Sequence, residues 1–86
     1  MTDRQRQRMR SPAFNRRLVA RFNLLHPVGT PVLYRPVLEQ DETRLTRTRE
    51  PAWMLGDHNA VVMVEGVAGC VSLWHVEVAP AEEARP

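Results

Sequence analysis

Nine proline and glycine residues cut the stretch from 27 to 80 into short runs: Pro27, Gly29, Pro31, Pro36, Pro51, Gly56, Gly66, Gly69 and Pro80. Proline removes a backbone donor and glycine weakens regular structure, so no long helix fits between them. The longest uninterrupted run, residues 37–50, is polar and then alternates Thr with Arg. What remains is strand-sized. "TPVLYRP" reads as a first strand with Val32 and Tyr34 on one face, bracketed by Pro31 and Pro36 as at a strand end or sheet edge. "VLEQDET" is a polar loop, "RLTRTR" an exposed strand, and Pro51 interrupts before "AWML". "GDHN" is a turn, "AVVMVE" a near-continuous apolar strand and "GVAG" a tight connection. "CVSLWHV" reads as one long last strand, followed in "EVAP" by a 3₁₀ turn or a short closing strand.

Four or five short strands in about 50 residues predict a mainly β fold: a small, strongly bent antiparallel barrel. An SH3-like barrel over residues 26–80 is the preferred topology. An OB-fold is second, because it wants a longer chain and a helix between strands. Val62, Val64, Val71 and Leu73 alternate correctly on adjacent strands and are the expected core.

Upstream the texture differs. "SPAFNRRLVARFNLL", residues 11–25, predicts a short amphipathic helix with Ser11 as N-cap and Pro12 at its first position. Phe14, Leu18, Phe22 and Leu25 form its apolar face, and Pro27 ends it. That face is expected to dock on the barrel or on a second subunit. Residues 1–10, "MTDRQRQRMR", are nearly devoid of apolar groups and are expected to be a disordered basic arm; residues 81–86 are expected to fray.

Charge follows the same division. Residues 1–21 hold seven arginines against Asp3, a net of +6; residues 22–86 hold five against nine acids, a net of −4, giving the chain's +2. There is no lysine. GC-rich coding accounts for that choice; arginine's planar fork also suits phosphate. Arg4, Arg6, Arg8 and Arg10 are therefore candidates for nucleic-acid contact through the arm. A solubilising tail is the simpler reading.

Catalytic and metal-binding patterns are sparse. Cys70 is the only cysteine, which excludes an internal disulfide and fits a reducing compartment. His26, His58, Cys70 and His75 lack the paired short spacing of a zinc site, and no metal or cofactor is expected. Cys70 and His75, five apart on a strand, fall on opposite faces and form no nucleophile–base pair. With neither a transmembrane run nor a signal peptide, a cytoplasmic protein without membrane partners is expected. The tryptophans stand out. Both faces of "VVMV" are apolar, and one barrel buries only one of them. Val61, Met63, Trp53 and Trp74 are therefore expected at an interface, either of a homo-oligomer or with a host protein.

"HPVGTPVLYRP", "TRTREPAWMLGDH" and "VVMVEGVAGCVSLWHVE" resemble a family of small proteins from proteobacterial genomes, prophages and phages. That resemblance spans about residues 22–78; it implies a mobile-element context and no established activity. "AGCVSLWHV" also resembles the pore strand of the plasmid-borne type II dihydrofolate reductases, SH3-like tetramers that bind NADPH and dihydrofolate in a central pore. The resemblance implies Ser72, Leu73 and Trp74 as pore residues and Tyr34 and Arg35 as cofactor contacts. Two departures stand against it: Ser72 is shorter than the family's glutamine, and neither Tyr34 nor Arg35 is its lysine. The leading expectation is a non-enzymatic interaction module, with the pore reductase as the enzyme alternative.

Overall fold

The computed structural model describes residues 2–36 and 42–80, without the side chains of Gln5 and Arg8. Two helices, α1 (Asp3–Arg10) and α2 (Pro12–Leu25), precede six short strands: β1 (Pro31–Tyr34), β2 (Arg44–Arg47), β3 (Trp53–Leu55), β4 (Asn59–Val62), β5 (Val71–Ser72) and β6 (Val76–Val78). The strands form two three-stranded antiparallel sheets, ordered β2-β1-β6 and β3-β4-β5. A single bridge, Thr48 to Val64, ties one sheet to the other. Thr48 is buried; its carbonyl and hydroxyl both accept from the Gly29 amide (2.9 and 3.0 Å). Gly29 has φ of 97°, a left-handed conformation that glycine adopts without steric cost.

The core lies between the sheets. Val32, Ala52, Ala60, Val62, Val64, Val71 and Leu73 are buried together, with Tyr34, Met54, Val67 and Val76 packed against them. The four residues expected from alternation are all in this set: Val62 and Val71 on paired strands, Val64 at the bridge to Thr48 and Leu73 in the turn that follows β5. Leu18, Val19 and Phe22 of α2 pack on the same cluster, so the helix docks on its own chain. Ser11 caps α2, its Oγ accepting from the Phe14 amide at 3.2 Å, and Pro12 is the first helical residue. The expected face needs one correction: Leu25 is exposed, and Val19 takes its place toward the core.

Two other expectations change. The segment expected as a disordered arm is helical over Asp3–Arg10. Arg and Gln are good helix formers, and Asp3 in the first turn suits the helix dipole. This helix meets α2 at a corner and is anchored there through the Met9 carbonyl, which accepts from Asn15 Nδ2. The long last strand is broken into β5, a 3₁₀ turn at Leu73–His75, and β6. Ser72 caps that turn, its Oγ accepting from the Trp74 amide at 3.2 Å. The 3₁₀ turn therefore falls earlier than "EVAP", whose first residues instead belong to the short closing strand β6. Most of the "VLEQDET" loop, and the tail at 81–86, lie outside the described residues.

Candidate functional site

The 3₁₀ turn decides where Trp74 goes. By turning the chain after Ser72 it leaves Leu73 in the core, 4% exposed, and sends the indole toward α2. There the Trp74 ring stacks on Phe14, with centroids 5.6 Å apart and planes 20° from parallel. Its Nε1–H donates to Asn15 Oδ1 at 2.8 Å. Asn15 is completely buried. Its Nδ2 donates to the carbonyls of Met9 (2.9 Å) and His58 (2.6 Å). One amide thus links α1, α2, the β3–β4 turn and the 3₁₀ turn. Two turns further along α2, Asn23 exchanges two 2.9 Å bonds with the Ala52 backbone, Nδ2 donating to its carbonyl and Oδ1 accepting from its amide. The helix is pinned at both ends by asparagines that bond like a strand partner.

Neither asparagine was singled out from the sequence. The available signal was position: Asn15 and Asn23 flank Leu18, Val19 and Phe22 on the docked side of α2. Met9 was missed with them.

The expected interface residues are placed as follows. Val61 is 5% exposed, although it lies opposite the core side of β4. It lines a hollow of about 290 Å³ together with Met9, Leu55, Cys70, Ser72 and Trp74. Met9 from α1 and Trp74 thus wall this second apolar face from within the chain. Trp53 is paired with Val61 across the sheet, and both Trp53 and Met63 are half-buried.

The expected pore residues divide between two hollows, both touched by Trp74, and the core. Arg35 and Trp74 share a hollow of about 270 Å³ with Leu33, Thr43, His75 and Glu77. Tyr34 packs instead against the core, as does Leu73, and Ser72 lines the hollow around Val61. Val71 and Leu73 face the core while Ser72 and Trp74 line the hollow around Val61, where the indole is held by Phe14 and Asn15. His75 Nδ1 lies 2.9 Å from the Arg35 carbonyl and 3.1 Å from that of Pro36. Two acceptors require Nδ1 to be the protonated nitrogen, which ties the ring to the end of β1. Arg35 and Glu77 both line this hollow, which shows no paired nucleophile and base among the described residues.

Among the described residues no group of three His, Cys, Asp or Glu side chains could hold a metal ion. No described helix is long and apolar enough to cross a membrane. Arg4, Arg6 and Arg10 are exposed on α1, as are Arg16, Arg17 and Arg21 on α2; the Arg8 side chain is outside the described set. Compared with family models, curated proteins and solved structures, the chain matches none of them.

Proposed function

We propose that this chain is a non-enzymatic module that binds another macromolecule, built on an SH3-like barrel. The pairing of the first strand with the last, and the Thr48–Val64 bridge between the sheets, support the barrel reading. The observation that carries the functional reading is the engagement of Trp74. The ring that a reductase pore would use for stacking already stacks on Phe14 and bonds Asn15. Ser72 and His75, the polar groups on either side, serve as a cap and a strap to β1. With its reactive side chains used in this way, the domain works by the surface it presents, which is the arginine side of α1 and α2. A phage or mobile-element setting agrees with such a small binding protein.

The test is an assay of the purified protein with NADPH and dihydrofolate. The module reading predicts no oxidation above the protein-free rate at any protein concentration. Dihydrofolate-dependent oxidation that disappears in Trp74→Ala, with the variant still folded by circular dichroism, would establish the pore enzyme instead.

A further inference from the structure

The arginines of the two helices are not scattered. Arg4, Gln7, Ser11, Phe14 and Arg17 line one hollow of about 390 Å³ at the α1–α2 corner. Phe14, Arg17, Leu18 and Arg21 line the adjoining one, of about 310 Å³. The two share Phe14 and Arg17, so a single shallow trough runs from α1 onto α2. Its residues follow each other at intervals of three or four, which keeps them on one side of the helices. Three guanidinium groups line this trough, and among the described residues no carboxylate does. Ser11 and Gln7 add neutral polar groups between the cations.

We propose that this trough binds the phosphodiester backbone of double-stranded nucleic acid. The inference deepens the binding-module reading and rests on it. A row of cations along about 20 Å of helix matches a polymer of regularly spaced phosphates better than a single anion. Arginine's fork suits phosphate oxygens. A bilayer surface fits less well: α1 has no apolar face to insert, and Leu18, Val19 and Phe22 of α2 are packed on the core, which leaves, of its large apolar residues, only Leu24 and Leu25 exposed at the far end of α2. A single strand fits less well too, because recognition there uses free aromatic rings, and Phe14, the only ring in the trough, is stacked on Trp74. The contacts are to backbone, so binding is independent of base sequence.

The experiment is fluorescence anisotropy of the full chain with a labelled duplex of about 20 base pairs, titrated at 50 and 200 mM salt. Three phosphate contacts predict a slope of about −2.7 in log K against log salt, hence roughly 40-fold weaker binding at the higher salt. The double variant Arg17→Gln/Arg21→Gln leaves one contact, a slope of about −0.9 and a loss of only about 3- to 4-fold. Both positions are exposed, so its thermal melt should be unchanged. Arg44→Gln, on β2 and away from the trough, should bind as the parent does. An unchanged slope in the double variant, no binding at 50 mM salt, tighter binding to a single strand of the same length, or binding only to phosphatidylserine vesicles would each overturn the proposal. None of these results bears on the reductase assay, so the two readings fail separately.

Discussion

Asn15 sits in the first turn of an arginine-rich helix and is wholly out of solvent, with every polar atom of its amide engaged. A buried polar group without partners costs about 1–3 kcal/mol. Asn15→Leu keeps the branched outline but orphans the Trp74 indole N–H and the Met9 and His58 carbonyls. It should destabilise the domain by about 2 kcal/mol or more in urea unfolding; a change within about 0.5 kcal/mol would mean that water replaces the amide at no cost. Leu73→Ala should cost roughly 2–5 kcal/mol, since Leu73 lies in the core cluster. A loss under about 1 kcal/mol would place the core on the other side of the 3₁₀ turn. The two residues differ in how far the sequence exposes them. Leu73 follows from strand alternation, which directly reports burial. Asn15 does not, because a polar residue on a helix reads as solvated until its acceptors, Met9 and His58, are brought to it by tertiary structure.

At the level of elements, α2 joins the sheets by two mechanisms: apolar packing of Leu18, Val19 and Phe22, and backbone-like bonds from Asn23. Asn23→Ala should cost about 1 kcal/mol, the net worth of such bonds being modest at an exposed position. Because α1 supplies the Met9 carbonyl and one wall of the hollow around Val61, removing residues 1–10 should lower the melting temperature by several degrees. An unchanged melt would return the segment to the role of a dispensable arm. Composition alone pointed to disorder there: eight helical residues with little apolar surface have no reason to order until a buried Asn15 and Trp74 receive them. The break in the last strand was hidden for a related reason. "CVSLWHV" alternates well enough for a strand, but the Ser72 side chain caps the Trp74 amide and the Val76 amide donates to the Leu73 carbonyl, and together these turn the chain. The short strands themselves were legible because proline and glycine mark their ends.

On the scale of the whole molecule, the expected need for a second subunit arose from the two apolar faces of β4. With Met9 and Trp74 walling the outer one, the chain should run as a monomer of 9.9 kDa in light scattering. A dimer dissociated by Leu24→Ser would shift attention to the end of α2, where Leu24 is 84% exposed. The division of labour that follows is between a scaffold, which holds Trp74, Asn15 and His75, and a presented surface, which carries the arginines. Trp74 belongs to the scaffold. The direct measurement is hydrogen exchange of the Trp74 indole proton by nitrogen-15 NMR, assigned with Trp53→Phe. Bonded to a buried amide, this proton should be strongly protected in the parent and should lose most of that protection in Asn15→Ala. Exchange at the rate of a free indole in the parent, unaltered by Asn15→Ala, would put the ring at the surface, free to stack on a ligand.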